Sequence, residues 1–230
     1  MMKILASDFD DTIYFEDDIE KTKNNITSIK KFISAGNLFL IITGRNYSDL
    51  KLLLNEYSIP YSYLVCCDGA KIFNSVDYCL DTNQLNHKEV EFISNYLKEN
   101  NYNYYLDDGY NETNNPKDCI KVTVNLKDEK AQIDLINQLK KTIKLHIYAS
   151  RYHVNIINQT VNKANALKKL FNIENLDYDK LRVIGDNDND YEMLKDNSGA
   201  VIKKHHPKLD SLNKKEFDTL SDYIKELMEN

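Results

Sequence analysis

Two patterns of apolar and polar positions alternate along this chain. Near the N-terminus, Ile4-Leu5-Ala6 forms a short apolar run, and the acidic stretch Asp8-Phe9-Asp10-Asp11-Thr12 follows where a first strand would end. Ile26, Ile29, Phe32 and Ile33 then recur at helical spacing, with Gly36 placed to cap the helix C-terminus. Leu38-Phe39-Leu40-Ile41-Ile42 is continuously apolar, as a strand buried on both faces of a parallel sheet must be, and it ends in Thr43-Gly44-Arg45. Leu50, Leu53, Leu54 and Tyr57 predict a second helix, broken before Pro60, and Tyr63-Leu64-Val65-Cys66 predicts a third buried strand. Strand alternating with helix is the mark of a parallel α/β fold whose ligand sits at the carboxyl ends of the strands.

From Lys71 the pattern changes. Ile120, Val122, Val124 and Leu126 alternate with polar residues, as do Leu145, Ile147 and Ala149, which predicts a half-exposed antiparallel sheet. Two helices, at 86–99 and 128–142, each precede two strand-like runs, so a helix-strand-strand unit is used twice. Asp107-Asp108-Gly109 reads as a turn and 111–116 as a surface loop. The first pattern resumes after Asn158 with a helix on Ala164, Leu167, Leu170 and Phe171 and a strand at Leu181–Ile184. An acidic loop at 185–190, a short helix at 191–196 and a last strand at Ala200-Val201-Ile202 follow. A closing helix carries Phe217, Leu220, Tyr223, Ile224 and Leu227. The predicted fold is a Rossmann-like, doubly wound parallel α/β core formed by 1–69 and 158–230, interrupted by an α+β insert at 70–157.

Composition narrows the function classes. Of 230 residues, 42% are hydrophobic and 29% charged, the proportions of an ordinary soluble globular protein. With 30 Lys and Arg against 36 Asp and Glu, the net charge of −6 supplies no basic excess for a nucleic-acid backbone. Neither a secretory signal nor an apolar run of the ~20 residues needed to span a membrane is present. Cys66, Cys67, Cys79 and Cys119 lack metal-site spacing and read as buried free thiols, which places the expected protein in the cytoplasm. No heptad or long apolar stripe speaks to the oligomeric state.

Candidate chemistry falls at the predicted strand ends. Asp8 and Asp10, two apart on extended backbone, point the same way and share one small site. Like charges about 4 Å apart repel by roughly 4 kcal/mol at an effective dielectric near 20, so the pair calls for a cation or a proton. The alternative is an acidic turn capped by Thr12. Thr43-Gly44-Arg45 either holds a phosphoryl oxygen through the Thr hydroxyl and exposed amides or is a capped turn. Lys163, at a helix start, either neutralises Asp8 and a phosphoryl group or is a solvated helix lysine. Gly185-Asp186-Asn187-Asp188-Asn189-Asp190 crowds three carboxylates after an apolar strand, which favours a metal.

In this order, and flanking one insert, these stretches resemble the haloacid dehalogenase-like phosphatase superfamily, closest to its Cof-type branch. Asp8-Phe9-Asp10-Asp11-Thr12 matches the D-x-D-x-T motif, Thr43 the second, Lys163 the third, and Gly185–Asp190 the G-D-x-x-N-D fourth. The resemblance implies a type-two, subclass B cap as the insert and a Mg2+-dependent phosphatase acting on a small-molecule phosphomonoester such as a sugar phosphate or phosphoglycolate. It implies Asp8 as nucleophile and Asp10 as acid and base. The metal falls to Asp8, the Asp10 carbonyl, Asp186 and Asp190, and phosphoryl binding to Thr43, Gly44, Lys163 and Asn189. Arg151, Tyr152, His153 and Asn155 are the cap residues placed to choose a substrate. Asp68 stands where Asn is usual at the cap entrance, and Lys203-Lys204-His205-His206 departs from the usual segment after the fourth motif. The alternatives are a phosphotransferase or phosphomutase of the same fold and a non-enzymatic phospho-acceptor or phosphate-binding module.

Overall fold

A computed structural model describes residues 2–150 and 152–229. In chain order its strands and helices are β1 (Ile4–Ser7), α1 (Ile19–Ser34), β2 (Leu38–Ile42), α2 (Tyr47–Glu56), β3 (Tyr63–Cys66), β4 (Lys71–Asn74) and β5 (Cys79–Thr82). Next come α3 (His87–Glu99), β6 (Tyr104–Asp107), β7 (Glu112–Thr113), β8 (Lys121–Asn125), α4 (Glu129–Leu139), β9 (His146–Ser150) and β10 (His153–Ile157). The chain ends with α5 (Lys163–Ile173), β11 (Leu181–Gly185), α6 (Tyr191–Asp196), β12 (Gly199–Ile202), β13 (Lys215–Phe217) and α7 (Leu220–Glu229).

One sheet has eight strands in the order β13-β12-β11-β1-β2-β3-β4-β5, parallel from β13 to β3. Its two faces follow from period two along each strand. Leu5, Phe39, Ile41 and Leu64 face α1, α2 and α7 through Ile29, Phe32, Leu50 and Ile224. Ile4, Ala6, Leu40, Ile42 and Val65 face α5 and α6 through Leu167, Leu170 and Met193. Covered on both faces, these strands are buried along their length, which is why they read as apolar runs. The strands β11, β1 and β2 are consecutive neighbours, with Ile4 opposite both Leu181 and Leu38. Their carboxyl ends therefore set Asp186, Asp8 and Thr43 side by side.

A second sheet has five antiparallel strands in the order β7-β6-β8-β10-β9. One face carries Leu106, Val122, Val124, Val154 and Ile156 onto α3 and α4, packed with Val90, Ile93, Leu97 and Leu135. The opposite face carries Tyr105, Thr123 and Asn155 in one cross-strand row. In the next row Asp107 pairs with Lys121. The twice-used helix-strand-strand unit is present, with the short β7 added.

The pattern change at 70 does not coincide with the change of sheet. Strands β4 and β5 continue the eight-stranded sheet as an antiparallel hairpin beyond β3, so the separate sheet draws only on later residues. Four-residue strands are too short for alternation to reveal which sheet they join. Nor is Ala200–Ile202 the last strand: β13 adds a parallel edge beyond it and takes Phe217 out of the closing helix. With Lys215 and Glu216 exposed and only Phe217 buried, that edge has no apolar run to announce it. Asp107, expected in a turn, ends β6 and is buried.

Candidate active site

The loop after β1 turns at once: the amides of Ile13 and Tyr14 both donate to the Phe9 carbonyl. Period two therefore lapses past Ser7, and the two acidic side chains expected to share one position meet different cations. Lys163 Nζ, 1% exposed at the N-terminus of α5, donates to Asp8 Oδ1 at 2.5 Å and to Asp190 Oδ1 at 2.6 Å. Arg45 holds Asp10 in a fork, Nη2 to Oδ1 at 2.7 Å and Nε to Oδ2 at 3.0 Å. Both carboxylates line one cleft.

Across from Asp8, the loop after β11 is stitched by Asp190, whose Oδ2 accepts from the amides of Asp186 and Asn187 at 3.0 Å each. Thr12 Oγ1 donates to Asp186 Oδ1 at 2.9 Å. Ligand oxygens of Asp8, Asp186 and Asp190 lie within 4.8 Å of one another. Burial pushes the Asp8 carboxyl well above its usual range; Lys163 pulls it back, and Asp190 and Asp186 push it up again. Asp186 is pushed up to about 7 by burial first and by Asp190 next. Two buried carboxylates and the half-buried Asp186 against one lysine leave negative charge that a hard divalent cation with oxygen ligands fits. Both Asp190 oxygens are already engaged, so Asp8 and Asp186 keep the freer donors. Among the described residues nothing donates to Asp8 Oδ2.

Thr43 follows β2, buried, and its Oγ1 accepts from the Arg45 amide at 3.1 Å. The Thr43 carbonyl accepts from the Asp68 amide and the Arg45 carbonyl from the Cys67 amide, both at 2.9 Å, so the Thr43–Arg45 loop is clamped onto the turn after β3. Asn189 Nδ2 donates to Asp68 Oδ1 at 2.8 Å, and Tyr148 of β9 donates its hydroxyl to Asp68 Oδ2. Asp68 thus joins the acidic loop to the five-stranded sheet.

The cleft holds about 300 Å³ and lies between the strand ends and the polar face of the five-stranded sheet. The motif residues Asp8, Asp10, Thr43, Gly44 and Asn189 line it. So do His153 and Asn155 of the expected cap set. Tyr152 does not: it is 60% exposed, its ring near Lys127. Arg151 lies outside the described residues. Sequence reasoning missed Asn46, Asp107 and Lys121, which also line the cleft. Lys121 alternates with Ile120 and Val122, so its face was read as solvent; the polar face of a sheet laid over a cleft carries the same pattern. His205 bonds Asp210 Oδ1 and the Ile202 carbonyl, both at 2.9 Å, which makes it a fold contact.

Known proteins resemble this chain in sequence and in fold. The profile of the haloacid dehalogenase-like hydrolases matches residues 5–111 and 106–222. A Buchnera aphidicola protein named "Putative phosphatase" is 26% identical over 265 aligned positions, spanning 99% of this chain and 98% of its own. A Bacillus subtilis 5-amino-6-(5-phospho-D-ribitylamino)uracil phosphatase is 20% identical over 203 positions, 85% of this chain and 81% of its own. The fold is shared with a haloacid dehalogenase-like hydrolase from Bacteroides thetaiotaomicron, at a TM-score of 0.83 and 17% identity over 99% of this chain and 100% of the other. Since the profile runs through both sheets and every loop that lines the metal-fitting carboxylates, this chain belongs to the haloacid dehalogenase-like hydrolase family.

Proposed function

We propose that this chain is a Mg2+-dependent phosphatase that hydrolyses a small phosphomonoester through a phosphoaspartate on Asp8. The observation that carries the reading is the buried Lys163 between Asp8 and Asp190, with Asp186 converging on the same point. Lys163 holds Asp8 by Oδ1 and leaves Oδ2 to attack phosphorus. As the Oδ2–P bond forms and the ester P–O bond breaks, Asp10 gives its proton to the departing oxygen, which leaves as an alcohol. Asp10 then takes a proton from the water that attacks the phosphoaspartate; the Asp8–phosphorus bond breaks and inorganic phosphate leaves. Thr43, the Gly44 amide, Lys163 and Asn189 bind the phosphoryl oxygens as charge shifts onto them. Mg2+ bound by Asp8, the Asp10 carbonyl and Asp186, near Asp190, supplies the positive charge that offsets repulsion between carboxylate and phosphate. Arg45 fixes the Asp10 carboxyl toward the cleft.

In this reading 70–157 is the insert, its first hairpin built into the core sheet and its five-stranded sheet serving as the lid. The lid face offers Thr123, His153 and Asn155 together with Asp107 and Lys121, a mostly hydrogen-bonding surface beside the ring of Tyr105. Such a surface suits a compact leaving group rich in hydroxyls, as in a sugar phosphate. Four free cysteines suit a reducing cytoplasm. Phosphate release from p-nitrophenyl phosphate by wild type and Asp8→Asn, with Mg2+ and with chelator, tests the chemistry. Activity that requires both Asp8 and Mg2+ is expected; activity retained in Asp8→Asn overturns it.

A further inference from the structure

The lid reaches the core through an adjacent pair of side chains, and both land on the loop that leads from β2 into α2. Asp107 and Lys121 are opposed in the β6–β8 register. Asp107 Oδ2 accepts from Asn46 Nδ2 at 2.9 Å, and Lys121 Nζ donates to the Gly44 carbonyl at 2.6 Å. Both are buried, so these are not rim contacts. The peptide unit that Lys121 grips runs from the Gly44 carbonyl to the Arg45 amide, and that amide donates to Thr43 Oγ1 at 3.1 Å.

A hydroxyl has one proton to give and two lone pairs. With the Arg45 N–H on one lone pair and no acceptor for its proton among the described residues, the Thr43 hydroxyl has its proton left for the cleft it lines. An ammonium on the carbonyl of a peptide strengthens what the N–H of the same peptide donates, because a charge-assisted bond polarises its neighbours. The chain of bonds therefore runs from a lid cation, through one peptide, to a hydroxyl facing the reacting group.

We propose that Lys121 is a positioning residue for phosphoryl transfer: from the lid, through the Gly44–Arg45 peptide, it sets the Thr43 hydroxyl toward the phosphoryl group. The site is then fully assembled only while the five-stranded sheet lies on the strand ends. The proposal rests on the phosphatase reading above, which places a phosphoryl group at Thr43. It differs from gripping the leaving group, since a residue that acts through Thr43 matters for every ester, p-nitrophenyl phosphate included.

The test is a double-mutant cycle on p-nitrophenyl phosphate with Mg2+, with inorganic phosphate as a competitive probe. Lys121→Met is expected to lower kcat/KM about ten- to a hundredfold, the scale of a misplacement near 1 Å, and to weaken inhibition by phosphate. In a Thr43→Val background the same substitution is expected to change kcat/KM by no more than about twofold, because coupled residues are not additive. In Thr43→Ser, which keeps the hydroxyl, the effect returns. Should Lys121→Met not fold, Lys121→Gln enters the same cycle. Multiplicative losses in the Thr43→Val background overturn the proposal, as does a folded Lys121 variant with undiminished turnover. Wild-type activity that survives Asp8→Asn instead overturns the phosphatase reading itself, and that outcome is read without any Lys121 variant.

Discussion

Replacing Lys163 by Met removes the one lysine that, among the described residues, is bonded to the carboxylate cluster, while keeping an unbranched chain to fill its space. The lysine is fully buried between Asp8 and Asp190, and ligand oxygens of three carboxylates lie within 4.8 Å of one another. Removing one partner of a buried ion pair costs about 3–5 kcal/mol, because the charge left behind stays unpaired. For a chain of this length about 2–4 °C of Tm accompanies each kcal/mol, so Tm in EDTA should fall by about 6–20 °C. On the proposed reading, Mg2+ at about a hundredfold its Kd would add about 2.7 kcal/mol to the wild type, or ~5–11 °C. In the variant the metal meets a cluster one charge more negative, so its protection should exceed that of the wild type. The loss in EDTA should also shrink as pH falls, since burial already favours the protonated form of Asp8 and protons can replace the missing cation. Thermal denaturation of both proteins, with Mg2+ and with EDTA, at two pH values reads all of this. A variant within about 2 °C of wild type in EDTA, or equal protection of both by Mg2+, would refute the electrostatic account.

Three further outcomes follow from other parts of the molecule. Gly69 sits at φ +111°, and a Cβ there would lie 2.8 Å from Ala166 Cβ and from the Asn162 carbonyl oxygen; Gly69→Ala should cost about 1–3 kcal/mol and lower Tm by ~2–12 °C, with no loss checked by calorimetry as the contrary result. Tyr148→Phe deletes one of the two side-chain bonds that hold the Asp68 carboxylate, a loss of about 1.5–3 kcal/mol in urea denaturation; an unchanged midpoint would mean that water replaces the phenol there. Burial, then Lys121, lowers the pKa of His153 below its ordinary 6.5. The unfolded chain therefore binds more protons at that position, so its stabilising share is lost as pH falls through about 6.5, and wild-type Tm should drop more steeply than that of His153→Gln between about pH 7 and pH 5.5. Parallel slopes would contradict it.

What the sequence made legible follows from how each residue signals itself. Runs such as Leu38–Ile42 announce β2 because a strand covered on both faces leaves no polar position, and Asp8, Thr43 and Asp186 then fall at adjacent strand ends without any side-chain geometry. Short strands toward the ends of the sheet carry no such run, so β4, β5 and β13 leave no signal of their own. The lid was harder for a different reason. Periodicity gives Lys121 a face opposite Ile120 and Val122, yet it is silent on whether that face meets water or another sheet; tertiary placement decides. The same silence hid Asp107 behind the signature of a turn.

Net charge misleads at this scale as well. A chain of −6 looks ill suited to a phosphate dianion, and averaged over the surface it is. At the site the carboxylates outnumber the cations, and positive charge is placed by Arg45 and Lys121 on the cleft wall and by Lys163 buried behind it, each bonded to a partner that fixes its position: Asp10, the Gly44 carbonyl, and Asp8 with Asp190. Screening over about 8–10 Å of salt water separates such anchored cations from the acidic exterior. Raising ionic strength should therefore leave KM for p-nitrophenyl phosphate nearly unchanged, while a steep rise in KM with salt, measured at constant Mg2+, would mean that loosely held surface lysines and not these three draw the substrate in.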